Sequence, residues 1–466
     1  MRLAAGDRRG AESALRAGMR VLHDFRGALG ATELRAHASA HAGDAARLGL
    51  RLAVEERRAD RALAWAERWR AGALQLRPVR PPDDTVLEGA LAELRRVVSR
   101  IGQEALAGRD ITGLRRRQAG LEQLVQRRAR LVAGGAYALP PPPAPAELSA
   151  LLGERALVEV VALDRRLHAV VLAGGRLTLH GLGELREVTA EMAALRFGLR
   201  RLAFAHGSAA SLEAAAGAVA YAAGRLDELL VGPLLERVGG RPLVLVPTGV
   251  LHALPWSALP SLQDRPVSVA PSAALWRRAA ETASSSRDGR VVIVEGPELP
   301  GAAGEVAALA RRYPDATCLV GPAATVAATA TALDGAALAH VAAHGAFRVD
   351  NPLFSSLQLA DGPLTVYDLE GLARAPRRLV LSACDAGLSG VRPGDELMGL
   401  AGALFALGMS TLVASVIPVP DAATKELMLA LHRALQGGAG PAEALARARS
   451  GQDPAVAASF VCFGAG

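Results

Sequence analysis

The sequence predicts an α/β protein with a mostly parallel sheet flanked by helices, preceded by an all-helical region. Three observations predict it. Over residues 1–138, apolar side chains recur at three- and four-residue steps, as in ALRAGMRVLHDF and VLEGALAELRRVVSRI, which is the period of amphipathic helices. The proline run LPPPPAPAEL at 139–148 ends that pattern, because proline cannot continue a helix and favours extended polyproline geometry. Beyond it, continuous apolar runs of strand length alternate with helical stretches, as parallel strands buried on both faces do.

Taken in order, the elements are these. Residues 1–138 read as helix pairs that resemble degenerate tetratricopeptide repeats, although no clean period of about 34 residues survives. An ordinary helical bundle fits the same pattern. Residues 139–148 form a proline-rich linker. From 149 to 204 the period changes. LVEVVAL (157–163) and LHAVVLA (167–173) flank DRR, and GGRLTLHGL follows, which predicts an antiparallel meander leading into helix. Helical stretches at 184–206 and 209–236 come next. Strands are then expected at 242–247, 266–270, 291–294, 338–343, 378–383 and 411–417, with helices between them. In such sheets, ligands bind beyond the carboxyl ends of the strands.

Composition narrows the function. The 466 residues are 51% hydrophobic and 21% charged, which is ample for packed cores and excludes disorder. Aromatics are 3%, so those cores are built from Ala, Leu and Val. Residues 1–135 hold 26 arginines against 16 acidic side chains, while the rest holds 27 basic against 30 acidic. The arginines alternate with Glu and Asp at helical spacing, without interleaved aromatics, and this reads as a solvated helix face. Nucleic-acid binding is not expected. The three cysteines, Cys318, Cys384 and Cys462, are far apart and form no CxxC, so neither a disulfide framework nor structural zinc is expected. Arg2, Asp7, Arg8 and Arg9 crowd a start that lacks an apolar signal core. Leu397 to Pro420 carries no charge, but Gly408 splits it and TLVASVI is β-branched, so a buried helix, a glycine stop and a buried strand are expected rather than a membrane span. A cytoplasmic protein is expected.

Two apolar runs end in chemistry. LAHVAAHG ends at His344 and Gly345, and LVLSACDAG ends its run at Cys384. If the two strands are parallel neighbours, both side chains emerge at one edge. A thiol is a strong nucleophile only as thiolate, and a nearby imidazole can take its proton. The backbone N–H groups of Gly345 and Cys384 are natural donors to an oxyanion. Histidine forty residues ahead of cysteine resembles the caspase arrangement. His340 and His344 form HxxxH, but Val341 stands where a zincin needs Glu, so no metal and no cofactor are expected. His252, in VLHALPW, is an alternative base. Cys318 and Cys462 lie in apolar runs and read as core.

With these residues in place, the region from about 205 to the end resembles a CHAT domain, the caspase-like peptidase module usually found behind tetratricopeptide repeats. The stretches carrying the resemblance include LVLVPTGVLHALPWSALP, LAHVAAHGAFRVDNPLFSSLQLADGPLTVYDLEGL and RRLVLSACDAGLSGVRPGDELMGLAGALFALGMSTLVASVIPVPD. The family's HG falls on His344 and Gly345, and its SAC plus acid on Ser382 to Asp385. Its GDE opening a helix falls on Gly394, Asp395 and Glu396. Asp385 and Ala386 stand where Glu and Thr are common, and Ala343 where Cys or Thr is. The resemblance implies a caspase-like fold of two α/β halves, a structural one at about 205–330 and a catalytic one at 335–466. It implies a cysteine endopeptidase acting on protein substrates through His344 and Cys384. Asp385, Asp395 and Glu396 are candidates for a pocket that takes a basic side chain, with Asp350 and Asp361 behind them. The helical front is expected to bind a protein regulator; no nucleic acid or membrane partner is expected. The alternative is a silent or latent scaffold that works through its repeat-like helices.

Overall fold

The structure, a computed structural model, describes residues 6–70, 72, 74, 84–131, 141–205, 207–284, 289–348, 350–382, 390–392 and 396–466. The amino-terminal region is all-helical, as its periodicity predicts. Its helices run Arg8–Ala28, Thr32–Ser39, Gly43–Glu55, Ala59–Trp69, Thr85–Leu106 and Thr112–Arg130. Asp7 caps the first by accepting from the Gly10 N–H at 2.8 Å, and Asp84 caps the fifth through the Val86 and Leu87 N–H groups.

These helices share their cores with the sheet. Met19, Leu50, Leu63 and Trp65 pack in one cluster with Leu157, Val161, Val170 and Val244. Leu87, Leu91, Leu94 and Val125 belong to a second cluster that contains Leu357 and Leu364. Polar links reinforce the apolar ones. Thr32 donates to Glu370 at 2.6 Å, Arg95 pairs with Asp368 at 3.0 Å, and Arg348 pairs with Glu122 at 2.8 Å.

The first strands are β1 (Ala156–Leu163), β2 (Arg166–Ala173) and β3 (Arg176–Glu184). After two long helices, Leu185–Ala203 and Ala209–Leu230, come β4 (Leu243–Val246) and β5 (Val267–Val269). Then follow β6 (Val291–Glu295), β7 (Thr317–Leu319), β8 (Leu338–Ala342), β9 (Gly345–Ala346), β10 (Ser356–Leu359) and β11 (Gly362–Thr365). The last are β12 (Arg378–Ser382), β13 (Gly390–Arg392), β14 (Glu396–Met398), β15 (Thr411–Ser415) and β16 (Phe460–Gly464).

Eleven of these form one sheet in the order β3-β2-β1-β4-β5-β16-β15-β12-β8-β6-β7. The pairs β1–β4, β4–β5, β5–β16, β15–β12, β12–β8, β8–β6 and β6–β7 are parallel. Only β3–β2, β2–β1 and β16–β15 are antiparallel. The sheet is therefore mostly parallel and flanked by helices. Side chains alternate across it. In β1, Leu157 and Val161 face the cluster of helices 8–69, while Val158 and Val160 join Val188, Leu195 and Leu226 on the other side.

Sequence reasoning divides the domain near residue 330. The structure places β6 and β7 outward of β8, in one run with β12 and β15, and places β4 and β5 across β16. The strand nearest the end of the sequence thus enters the middle of the sheet. At Gly464 (φ +92°) an added Cβ would stand 2.2 Å from the Ser410 carbonyl, so only glycine fits.

The uncharged stretch resolves into helix Leu400–Ala406, Gly408 at φ +89° and the fully buried β15. Among the described residues, no helix is long and apolar enough to cross a membrane. Glu396 was expected to open that helix. It lies instead on β14, opposite Arg392 of β13, and Gly399 (φ +143°) turns the chain into the helix afterwards.

Cys462 is buried on β16, and burial pushes its thiol up to about 12, with Arg449 only partly offsetting this. Cys318, expected in the core, is exposed. The reason is topological: β7 is the last strand at its edge of the sheet, so its TCL run has one neighbour only. Brief iodoacetamide treatment of the folded protein should therefore carbamidomethylate Cys318 and spare Cys462. Mass spectrometry reads the sites; labelling of Cys462 before unfolding would contradict this packing.

Candidate active site

β8 and β12 are parallel neighbours deep in the sheet, and their register pairs Ala342 with Ser382. In sequence, His344 follows Ala342 by two residues and Cys384 follows Ser382 by two. Cys384, Asp385 and Asp395 lie outside the described residues.

The His344 ring is exposed, and its Nε2 stands 3.1 Å from the Glu298 carbonyl oxygen. A carbonyl only accepts, so this bond requires a proton on Nε2. In the neutral ring Nδ1 is then the free base. Glu298 belongs to the turn after β6 and holds a left-handed φ of +59°, uncommon for a residue other than glycine. The turn is seated by Gly296, whose N–H donates to the Ala342 carbonyl at 2.7 Å. An added Cβ on Gly296 would stand 2.7 Å from both Ala343 Cβ and the Gln358 carbonyl. Only glycine lets the turn come this close to β8. Sequence reasoning missed Glu298, because the acceptor is a backbone oxygen that every residue carries.

Gly345 begins β9, in the small sheet β11-β10-β9, and pairs with Leu357. The Gln358 N–H donates to the His344 carbonyl at 2.8 Å. That bond makes Gly345–Leu357 a non-hydrogen-bonded pair of the antiparallel ladder, so the Gly345 N–H points away from β10.

The acids sort differently. Asp350 pairs with Arg348 at 2.6 Å, and this bond holds its carboxyl below the usual range. Asp361 accepts from the Val326 N–H at 2.7 Å, at the start of helix Val326–Leu333. Each carboxylate thus already has a partner within the chain. His252 is buried in the turn Gly249–Ala253, which lies beside strand β13. His340 lies fully buried between Glu305 and His432. Among the described residues, no group of three or more His, Cys, Asp or Glu could hold a metal ion.

The profile of the CHAT domain matches residues 221–455, about half of the chain. The chain belongs to the CHAT family. That family has a caspase-like protease fold, which is what the run β7-β6-β8-β12-β15 and the flanking helices build. Among solved structures, two crystal structures of the Saccharomyces cerevisiae separase–securin complex are similar. One matches with a TM-score of 0.53 at 9% identity over 91% of this chain. The other matches with 0.52 at 8% over 97%. The CHAT chain spans 37% and 40% of those chains, and at such identities the likeness is one of fold alone. No curated protein matches the sequence.

Proposed function

We propose that this CHAT protein is a cysteine endopeptidase with His344 as base and Cys384 as nucleophile. The observation that carries the proposal is the Ala342–Ser382 register of two parallel strands, with the two residues at equal distances beyond it. His344 Nδ1 takes the thiol proton, and the Cys384 sulfur attacks the scissile carbonyl carbon. The N–H groups of Gly345 and Cys384 stabilise the oxyanion. The C–N bond then breaks as Nδ1–H protonates the leaving amine. Water, deprotonated by His344, releases the acyl group from the thioester. The Glu298 carbonyl orients the ring throughout. Asp385, Asp395 and Glu396 would supply a pocket for Arg or Lys.

Regulation by a protein partner is part of the proposal. A cleft of about 650 Å³ lies between helix Thr32–Ser39, helix Thr112–Arg130 and residues 350–353, lined by Glu33, His37, Arg130, Asp350 and Leu353. Arg348, four residues past His344, ties that segment to Glu122 of the helical region. A partner bound there would touch the chain a few residues beyond the base. The fold neighbours are complexes of separase with securin, which makes a protein regulator a natural analogy.

The test is cleavage of a mixed peptide library by wild type and Cys384→Ala, read by mass spectrometry. Cuts made only by wild type are expected, and the residue before the cut identifies the pocket. Arg or Lys there supports the acidic pocket, while Asp or an apolar residue removes it. No cutting by wild type, even with cell lysate as a source of activator, would overturn the peptidase and favour the scaffold.

A further inference from the structure

Beneath the mouths of β8 and β12 runs a buried polar chain. His340 and Ala342 of β8, and Val380 and Ser382 of β12, face helices Pro300–Arg312 and Asp421–Gln436. Ser382 Oγ lies 3.3 Å from Thr424 Oγ1, which lies 3.4 Å from Glu305 Oε2. Glu305 Oε1 is 2.7 Å from His340 Nε2. His340 Nδ1 is 3.1 Å from His432 Nε2, and His432 Nδ1 is 3.1 Å from the Tyr313 hydroxyl. Ser382, Thr424, Glu305, His340 and His432 are all buried.

Burial keeps His432 well below the usual histidine range, so it is neutral at neutral pH. One direction of donation then satisfies the whole chain. Tyr313 O–H donates to His432 Nδ1, His432 Nε2–H to His340 Nδ1, and His340 Nε2–H to Glu305. Thr424 O–H donates to the other Glu305 oxygen, and Ser382 O–H to Thr424. A fully satisfied network of this kind specifies one geometry where apolar side chains would allow several.

What it specifies lies next to the chemistry. Helix Pro300–Arg312 begins two residues after Glu298, whose carbonyl holds the His344 ring. Glu305 is on that helix, His340 is four residues before His344, and Ser382 is two before Cys384. We propose that Glu305, through its bonds to His340 and Thr424, is a positioning residue that clamps this helix to the two site-bearing strands and so keeps the Glu298 carbonyl on His344. A slip of about 1 Å would break the bond at Nε2 and misplace the base.

The inference rests on the peptidase reading, so its test carries one readout independent of turnover. Imidazole ¹⁵N NMR reports the His344 tautomer, and steady-state kinetics use the best library peptide. Wild type should show the Nε2–H form. Glu305→Leu should show mixed tautomers and a kcat lowered roughly tenfold to a hundredfold, with KM little changed. Glu305→Gln, which still accepts from His340 and can donate to Thr424, should recover most of both.

A folded Glu305→Leu with the wild-type tautomer and kcat overturns the clamp and leaves the peptidase standing. A wild type without turnover whose tautomer still responds to Glu305→Leu removes the peptidase and keeps the clamp. If Glu305→Leu fails to fold, Thr424→Val removes the Glu305–Thr424–Ser382 arm at nearly constant volume. A kcat equal to wild type in that variant also overturns the proposal.

Discussion

Replacing His344 by alanine is expected to lower kcat for peptide cleavage about ten-thousandfold or more, with the fold intact. The size follows from the proposed role. Removing the base from a nucleophile–base pair costs nearly as much as removing the nucleophile, because the two act as a unit. The fold should survive because the ring is exposed and bonded through Nε2 to one carbonyl. A second readout separates base from substrate binder. In the proposed dyad the imidazole takes the thiol proton, so without it alkylation of Cys384 at neutral pH should slow. A His344→Ala enzyme with undiminished kcat, or with Cys384 alkylated as fast as in wild type, would remove His344 from the base's role.

Replacing Arg70 by methionine is expected to destabilise the protein by about 3–5 kcal/mol, the cost of leaving buried carboxylates without their cation. Arg70 and Glu67 are each 3% exposed and Glu159 is fully buried. Arg70 reaches Glu159 at 3.3 Å and donates to the carbonyls of Val160 at 2.7 Å and Val246 at 3.2 Å. The Glu67 carboxylate accepts the N–H groups of Ala273 and Ala274 at 2.8 Å each, at the start of helix Ala273–Ala283. These bonds fasten helix Ala59–Trp69 to β1, β4 and that helix.

Burial pushes the Glu67 carboxyl upward, and Arg70 with the two N–H groups pulls it back. Removing Arg70 raises it further. A carboxyl whose folded value is raised contributes stability that is full below its unfolded value, here 4.5, and lost as pH rises through the folded one. The deficit of Arg70→Met should therefore be smaller near pH 5 than near pH 7.5. Urea unfolding at the two pH values measures it. A deficit below about 1 kcal/mol, or one equal at both, would mean that the cluster is solvated rather than buried.

Much was legible in the sequence, and for a local reason. β8, β12 and β15 are runs of apolar residues, and a run is a property of neighbours in the chain. The uncharged stretch at 397–420 also resolved as read, because Gly408 stops a helix whatever surrounds it. The misreadings were long-range. Cys318 looked like core because its run is apolar, and its exposure depends on which strand is last in the sheet. Glu396 looked like a helix opening, and a hairpin occupies that segment.

The sequence by itself determined the all-helical front, the α/β alternation and the family, together with His344 and Cys384 at the ends of two apolar runs. Only the tertiary structure decided that β8 and β12 are neighbours in register, that β16 closes the sheet between β5 and β15, and that the Glu298 carbonyl holds the His344 ring. It alone brought Glu305 to His340 across 35 residues and His340 to His432 across 92. The physical reason is that hydrophobic periodicity is written in consecutive residues. Strand order, a backbone acceptor and a buried polar contact join residues far apart in the chain, and no local pattern encodes which will meet.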